Sequence, residues 1–505
     1  MTPIDHPVIR FGLRPLLAGW VDPALLPELE VCGLSLDSRQ VRPGDLFLAL
    51  SGQRQHGLSA APQAVERGCA AIAFDPAGAP ERPEALGAVP CIAVEGLAHK
   101  LGAIADRFFG EPSRYLRAVI GITGTNGKTS CSHFLAQALA CRWPTAVAGT
   151  LGWGPPGALA PTTHTTPDAI EVHRLLLNLY RRGFQAVAME ASSHGLVQGR
   201  LNGVRFKGAL FTNLGRDHLD YHPTLAAYLE AKLKLMTWPD LEFAVFNADS
   251  PVATAVLERL PSGTLGLGFS ATGRPLVEGP QVVASEVRHG SAGITFQAQF
   301  EGQKAQVQAP VFGDFNVENL TATLAVLVAL GFSLEEAAAL LGNVRAVPGR
   351  MESFTAAGTT VIVDYAHTPD ALRSVLTSLR RHCRGRLWAV FGCGGDRDRG
   401  KRPEMGAVAD ALADRIVLTD DNPRSEDGDA ILRQILAGCR RRDIVCIRDR
   451  RAAIEWTLAQ ARAVGDIVLV AGKGHETTQE VGGRKYPFSD RQVVQEILAR
   501  MEAPA

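Results

Sequence analysis

The chain has 505 residues, 46% hydrophobic and 21% charged, with 52 Lys and Arg against 52 Asp and Glu. An apolar fraction of this size excludes a disordered chain, and a balanced charge offers no basic field for nucleic acid or an anionic membrane surface. The length calls for roughly two to four domains.

The first ten residues, MTPIDHPVIR, show no basic segment leading into an apolar one, so no secretory signal is expected. Residues 1–111 mix short apolar runs with turn signals, as in Leu46-Phe47-Leu48-Ala49-Leu50 after Pro43-Gly44-Asp45. A Pro-, Gly- and Ala-rich stretch, 75–90, predicts a surface loop. A helical pattern over 97–109 stops at Gly110-Glu111-Pro112, which marks a domain boundary. A second domain, 112–346, opens with a strand over 118–122, a Gly-rich turn and a helix from about Lys128. Further apolar strands are predicted at 186–189, 209–212 and 243–246, with helices between them, which argues for a parallel sheet. Over 281–311 the pattern becomes alternation, read from Val283, Ser285 and Val287 and from Ile294, Phe296, Ala298 and Phe300. Antiparallel strands added to the sheet are expected there. The longest apolar run, 320–332, is too short to span a bilayer. After Pro348-Gly349 a third domain, 347–505, alternates strands at 360–364, 387–391, 416–418, 444–447 and 467–471 with helical patterns, as a doubly wound Rossmann-like domain would. Nine cysteines without a CxxC pair predict reduced thiols and a cytoplasmic location. No membrane insertion, no nucleic-acid partner and a monomer are expected.

Gly121-Ile122-Thr123-Gly124-Thr125-Asn126-Gly127-Lys128-Thr129 lies between a strand and a helix. Glycines let backbone N–H groups close around phosphate oxygens, and the helix N-terminus adds partial positive charge. Lys128 would reach the β- and γ-phosphates, and the Thr129 hydroxyl would face Mg²⁺. The strict Walker A pattern is broken, because Ile122 stands where its first Gly belongs. The competing reading is a Gly-rich turn without a ligand.

Thr123-Gly124-Thr125-Asn126-Gly127-Lys128-Thr129 resembles the ATP loop of the Mur ligases and their folylpolyglutamate synthetase relatives, and the resemblance to the diaminopimelate-adding branch extends over nearly the whole chain. It implies three α/β domains: a UDP-binding one, a P-loop ATPase-like one with a parallel sheet and added antiparallel strands, and a Rossmann-like one for the amino acid. It implies ATP contacts from Gly124, Thr125, Asn126, Gly127, Lys128, Thr129 and Ser130. Asn316 and Asn319, Arg350 and Asp364 resemble positions around the adenine, ribose and γ-phosphate; an N-cap or hinge role is the alternative for each.

Met189-Glu190-Ala191-Ser192-Ser193-His194-Gly195 and Asn213-Leu214-Gly215-Arg216-Asp217-His218-Leu219-Asp220-Tyr221-His222 each follow a predicted strand, whose C-terminal end faces the ligand crevice of an open parallel sheet. A carboxylate there suits Mg²⁺, which prefers oxygen. The resemblance implies that Glu190 and His218, with Thr129 and Lys232, hold the metal. Tyr228-Leu229-Glu230-Ala231-Lys232 resembles a motif whose lysine captures CO₂ as a carbamate, turning a cation into a carboxylate-like ligand. An N-cap for Ser192 and a solvated helix face for Lys232 are the alternatives. For the UDP-muramoyl dipeptide the resemblance implies Leu36, Ser38, Gln53, Arg54, Gln55, Thr165, Thr166, Ser192, Gln198 and Arg200; His164 stands where the family often has Asn.

In the third domain Gly392-Cys393-Gly394-Gly395-Asp396-Arg397-Asp398 fails as a dinucleotide fingerprint, because Arg397 stands where the last Gly is needed. Asp421-Asn422-Pro423-Arg424 resembles the diaminopimelate signature of the family, and Gly472-Lys473-Gly474-His475-Glu476 follows a third strand. Diaminopimelate carries two amino-carboxylate ends. Arg397 and Arg424 supply forks for a carboxylate, and Glu476 an acceptor for an ammonium. Lysine would leave a buried fork unpaired, a penalty of as much as about 10⁴-fold. The implied activity is ATP-dependent ligation of meso-diaminopimelate to a UDP-muramoyl dipeptide, with Lys128, Glu190, His218 and Lys232 at the reacting centre. A folylpolyglutamate synthetase would share the loop and the sheet but lack Leu36-Asp37-Ser38-Arg39 and Asp421-Asn422-Pro423-Arg424; a non-catalytic ATP-gated binding protein could keep the loop alone and would have no need for Glu190, His218 and Lys232 together.

Overall fold

A computed structural model describes residues 9–502 except 53–54, 82–85, 216, 219–220 and 357–358. The expected contacts of Gln53 and Arg54 therefore lie outside the described residues. The chain divides into two compact units, Met1–Leu267 and Gly268–Ala505.

The first unit holds two principal sheets. The smaller is parallel in chain order, Gly33–Ser35, Asp45–Ala49, Ala71–Phe74 and Cys91–Ala93. The predicted run at 46–50 becomes Asp45–Ala49, buried at every position. The helix Leu97–Phe108 buries Leu97, Leu101, Ile104 and Phe108, one stripe at helical spacing, in a core with Leu34, Leu46 and Leu48.

The larger sheet runs in the order Phe243–Asn247, Gly208–Phe211, Ala118–Thr123, Ala186–Glu190, Thr145–Gly149, all parallel, with Gly152–Gly154 antiparallel at its edge. All of these strands are buried, and buried parallel strands read as continuous apolar runs. Thr145–Gly149 escaped prediction because Thr145-Ala146-Val147-Ala148-Gly149 is small-residued and weak in strand propensity. The order has one functional consequence. Ala118–Thr123 lies between Gly208–Phe211 and Ala186–Glu190, so the turns that follow these three strands emerge side by side.

The strand Leu265–Ser270 carries the chain across the division. In the second unit Gly268–Ser270 pairs in parallel with 281–283, and Gln281–Gly290, Gly293–Phe300 and Gln303–Ala309 form an antiparallel meander. Ile294, Phe296 and Ala298 face the core as expected. On the first strand the buried residues are Val282 and Ala284, not Val283, Ser285 and Val287. A register shift between Ser285 and Arg288, with Glu286 at φ 50°, interrupts the alternation that the sequence pattern assumed.

The last sheet runs Glu352–Ala356, Thr359–Asp364, Ile467–Ala471, Leu387–Phe391, Arg415–Leu418, Val445–Cys446, parallel except for the first. Pro369–His382, Lys401–Leu412 and Gly428–Leu436 supply the core on one face; Arg450–Gln460 and Asp490–Glu502 supply it on the other. This is the doubly wound arrangement expected. The strand Glu352–Ala356 and the hairpin Thr478–Val481/Arg484–Pro487 were not foreseen. The hairpin's second strand is wholly exposed and carries no apolar stripe.

Arg450 and Asp490 are fully buried as a two-pronged pair, Nε to Oδ1 at 2.7 Å and Nη2 to Oδ2 at 2.8 Å; Nη2 also donates to the carbonyl of Ala471 at 2.9 Å. The pair pins both helix starts to the end of the central strand. Asp490→Ala leaves a buried guanidinium uncompensated and is expected to cost about 3–5 kcal/mol. Chemical denaturation should show a lowered midpoint for the transition of this region, with a smaller loss for Arg450→Met/Asp490→Leu. An unchanged midpoint in the single variant removes the pair from the stability of the fold.

Candidate active site

The turn after Ala118–Thr123 is built from contacts the sequence could not announce. Gly124 adopts φ 143°, and a Cβ there would lie 1.9 Å from Thr212 Oγ1, so only glycine fits. Thr212 Oγ1 donates to the carbonyl of Asn126 at 2.6 Å. Asn213 accepts from the Asn126 N–H through Oδ1 at 2.9 Å and from the Thr125 N–H through its carbonyl at 2.9 Å. Gly215 N–H donates to Thr125 Oγ1 at 2.8 Å. The loop is thus clamped to the neighbouring turn, 212–215. The helix Lys128–Leu139 begins after Gly127, at φ 83°, with no side-chain cap. Its first-turn N–H groups, on Lys128, Thr129 and Ser130, are the orphan donors that bind an anion.

Two lysine side chains meet on this loop. Lys128 Nζ donates to the carbonyls of Gly124 at 2.8 Å and Thr125 at 3.0 Å. Lys232 Nζ, from the helix Leu225–Met236, donates to the same Gly124 carbonyl at 2.8 Å and sits 4.2 Å from the centroid of the Tyr228 ring. Lys232 is 1% exposed, so the solvated-face alternative fails. Burial first, and then the charge of Lys128, push its ammonium down to about 6, against the pull of Asp217. Burial also holds Lys128 below the usual lysine range, opposed by Glu190 and Asp217. Burial, with a smaller push from Asp217, raises the Tyr228 phenol, against its hydrogen bond with Thr125.

Glu190 ends its strand buried at 1% exposure. Its Oε1 accepts from the Thr150 N–H at 3.0 Å and Oε2 from Thr150 Oγ1 at 3.1 Å. Thr150 Oγ1 is 3.1 Å from Thr165 Oγ1. Thr166 Oγ1 donates to the Glu190 carbonyl at 3.0 Å and accepts from the Ser192 N–H at 3.0 Å. Ser192 Oγ caps the short helix Ser193–Val197 by accepting from Gly195 N–H. Arg200 donates to the Thr166 carbonyl at 2.7 Å and to Gln198 Oε1 at 2.9 Å, and Gln198 donates to the Tyr221 hydroxyl at 3.2 Å. Thr165, Thr166, Ser192, Gln198 and Arg200 therefore form one connected set running to Glu190. His218 is exposed at φ 53°, 3.5 Å from Asp217 and edge-on to the ring of His194. His164 is exposed and bonded to Thr163 Oγ1. Among the described residues no three His, Cys, Asp or Glu side chains gather as a ready metal site. Of the expected metal ligands, Glu190 supplies a buried carboxylate suited to a hard cation. An unmodified ammonium at Lys232 does not suit one.

On the small sheet Leu36 lines a cavity of about 530 Å³ with Leu34, Asp37, Trp153, Thr163 and Arg174. Ser38 is turned away from solvent, its Oγ donating to Gln63 Oε1 at 2.7 Å, and Gln55 is exposed.

The second unit gathers another set. Asn316 is buried, with Nδ2 on the Phe312 carbonyl at 2.6 Å and Oδ1 accepting from Asn319 at 3.0 Å. Asp364 accepts from the N–H groups of Met351 at 2.8 Å and Ala366 at 2.7 Å; burial raises its carboxyl against these bonds. Arg350 lies over the Tyr365 ring at 5.0 Å. The turns 392–398 and 421–426 interlock. A Cβ on Gly395 would lie 1.8 Å from the Pro423 carbonyl, so glycine is required, and Arg424 Nη1 donates to the Gly395 carbonyl at 2.6 Å. Arg424 Nε is 3.5 Å from Glu480, while Arg397 is exposed. Arg402, fully buried, grips both oxygens of Glu426 at 2.9 and 3.0 Å. Asp421 is buried against Gly472. Asn422 Nδ2 donates to Glu476 Oε2 at 2.9 Å, an oxygen that also accepts from Lys473 at 2.7 Å. The sequence reading passed over Thr150, Asn213, Tyr228, Arg402 and Lys473. Asn213, Tyr228 and Lys473 stood in motifs already singled out; Thr150 and Arg402 had no local signal.

Three family descriptions match the chain: Mur ligase family, catalytic domain, over residues 30–109; Mur ligase middle domain over 122–327; and Mur ligase, glutamate ligase domain over 349–474. The chain is similar to the UDP-N-acetylmuramoyl-L-alanyl-D-glutamate--2,6-diaminopimelate ligase of Alkalilimnicola ehrlichii, 49% identical over 502 residues that cover 97% of this chain and 99% of that protein. A protein of the same name from Xylella fastidiosa is 45% identical, covering 95% of this chain and 97% of its own. A solved structure of a UDP-N-acetylmuramoyl-L-alanyl-D-glutamate--2,6-diaminopimelate ligase superposes with a TM-score of 0.78 at 35% identity, covering 98% of this chain and all of that one.

Lys128→Ala removes the cation from the loop without touching the clamp made by Thr212, Asn213 and Gly215. Calorimetric titration with ATP should show binding weakened on the order of 10²-fold, at an unchanged melting temperature. Undiminished binding would mean that the loop is a turn and not a phosphate site.

Proposed function

The chain belongs to the Mur ligase family, and we propose that it performs the ligation for which its relatives are named, through the two residue sets described above. It is an ATP-dependent ligase that joins 2,6-diaminopimelate to UDP-N-acetylmuramoyl-L-alanyl-D-glutamate in peptidoglycan synthesis. It has the three-domain α/β architecture of that family. We place its domain boundaries at 111 and 346, and read it as a cytoplasmic monomer acting on the meso form of the amino acid. Among the described residues no helix is long and apolar enough to cross a membrane.

The observation that carries the mechanism is the meeting of Lys128 and Lys232 on the carbonyl of Gly124. The Lys128 ammonium on this loop, beside the uncapped N–H groups of the helix start, fits a triphosphate, and Lys232 brings a buried amine to the same carbonyl. The side-chain carboxylate of D-glutamate attacks the γ-phosphorus; a C–O–P bond forms, the β–γ bond breaks, and ADP leaves. Lys128 follows the transferring charge, which a fixed dipole or cation stabilises without reorganising. The amine of diaminopimelate then attacks the acyl carbon, loses a proton, and expels phosphate. Thr165, Thr166, Ser192, Gln198 and Arg200 hold the muramoyl dipeptide, and Leu36, Ser38 and the stretch 53–55 hold its uridine diphosphate. Asn316, Arg350 and Asp364 serve the nucleotide.

We assign Mg²⁺ to Thr129, Glu190, His218 and a carbamate on Lys232; when bound it would neutralise phosphate charge. The low proton affinity of Lys232 supports the carbamate, since only a neutral amine takes up CO₂. In the amino-acid site Arg424 and Arg397 pair with carboxylate ends of diaminopimelate, Glu476 accepts from an ammonium, and Asp421, Asn422, Pro423 and Gly472 shape the pocket.

With UDP-muramoyl dipeptide, ATP and Mg²⁺, phosphate release should require diaminopimelate and be weak with lysine. Arg424→Ala should raise the diaminopimelate KM by about 2–5 kcal/mol in transition-state terms and leave the ATP KM unchanged. Equal losses with both amino acids would mean that Arg424 holds a group common to them. Lys232→Ala should be nearly inactive and regain turnover when a short carboxylate such as acetate is added. Full activity without acetate removes Lys232 from the mechanism.

A further inference from the structure

The turn 472–476 contains a cation for which the ligation reaction has no stated use. Lys473 is completely buried, whereas the side chain of Glu476, one helical turn's distance along the chain, is 31% exposed. Lys473 Nζ donates to Glu476 Oε2 at 2.7 Å and to Asn422 Oδ1 at 3.0 Å. Asn422 closes the triangle by donating from Nδ2 to the same Glu476 Oε2 at 2.9 Å. Asn422 Oδ1 also accepts the Glu480 N–H at 2.9 Å, which ties the triangle to the first strand of the hairpin. Among the described residues Glu476 Oε1 takes no hydrogen bond.

We propose that Lys473 is a positioning residue: its buried ammonium fixes Asn422 and Glu476 as one triad, so that Glu476 presents a single carboxylate oxygen, Oε1, to an ammonium group of the incoming amino acid. The inference rests on the reading of Glu476 as that ammonium's acceptor. The physical reason is a division of labour between two oxygens. Oε2 is saturated from inside by Lys473 and Asn422, so it holds the carboxylate's orientation. Oε1, on a side chain that is 31% exposed, retains full capacity as an acceptor. A buried lysine is tolerable only beside an anion, so the ammonium and carboxylate lock one another in place. The amide of Asn422, which both donates and accepts, sets the angle between them. A carboxylate held by one bond only would rotate about its last torsion and spread its acceptors over several directions. Asp421, buried past the end of the strand Arg415–Leu418, brings a second carboxyl group against Gly472 of the same turn, so an arriving ammonium meets carboxyl oxygens from two elements.

The test is a double-mutant cycle between Lys473→Met and Glu476→Gln, read by steady-state kinetics with diaminopimelate and with ATP varied separately. Lys473→Met should raise the diaminopimelate KM about tenfold or more, the scale of a lost charged hydrogen bond, and leave the ATP KM and kcat within about twofold. Glu476→Gln should raise the same KM. In the double variant the loss should not exceed that of the larger single, because Lys473 acts only through Glu476. Should Lys473→Met fail to fold, Lys473→Gln, shorter and uncharged but polar, enters the same cycle with the same expectation. Additive losses, or parallel rises in both KM values, would make Lys473 a structural residue and overturn the inference. A Glu476→Gln protein with an unchanged diaminopimelate KM would instead overturn the reading of Glu476. A raised KM in Glu476→Gln beside an unchanged KM in the Lys473 variant would sink only the role given to Lys473.

Discussion

The carbonyl of Gly124 is the constraint around which the phosphate loop is organised. It accepts from two lysines that arrive from different helices, 128 at the start of one and 232 inside another. Holding both requires that the loop not move. Its rigidity comes from the neighbouring turn, where Thr212, Asn213 and Gly215 bond the backbone and the Thr125 hydroxyl. Buried polar groups must be paired, and here the pairing fixes the loop that leads into the uncapped helix start.

A related principle shapes the second unit. Among the described residues its buried cations are each matched by a carboxylate: Arg450 by Asp490, Arg402 by Glu426, Lys473 by Glu476. Such pairs add little net stability compared with apolar packing, but breaking one is costly, so they fix geometry. Each pair sits where a turn leaves a strand end. Arg402 joins the turn 392–398 to the turn 421–426, and Lys473 joins the turn 472–476 to Asn422. Loops that would otherwise be the most mobile part of a doubly wound domain are in this way tied to one another. The apolar cores on the two faces of the sheet supply the stability; the ion pairs decide where the recognition groups point.

Much of the architecture was legible in the chain itself. Buried parallel strands are continuous apolar runs, and Ala118–Thr123, Ala186–Glu190, Leu387–Phe391 and Ile467–Ala471 were read within a residue. Where local composition is weak the reading failed: Thr145–Gly149 is strand because both its faces are covered, not because its residues favour extension. The bulge near Glu286 shifted the buried face of Gln281–Gly290 by one residue, since a period-two pattern carries no mark of an inserted residue.

What the sequence determined by itself was the inventory of chemistry and its place on strand ends: the Gly-Lys-Thr turn, the carboxylate at 190, the lysine at 232, the turns at 421 and 472. These are local, because a turn needs particular residues at fixed spacing. The tertiary structure alone decided which side chains meet. Lys232 lies 104 residues beyond Lys128 in the numbering, yet both reach Gly124. Arg402, which has no local signal in the sequence, and Lys473, inside a Gly-rich motif, are both buried in the fold. The reason is physical: whether a charge is solvated or desolvated depends on what packs around it, and that is settled by strand order and by turns distant in the chain, which no spacing records.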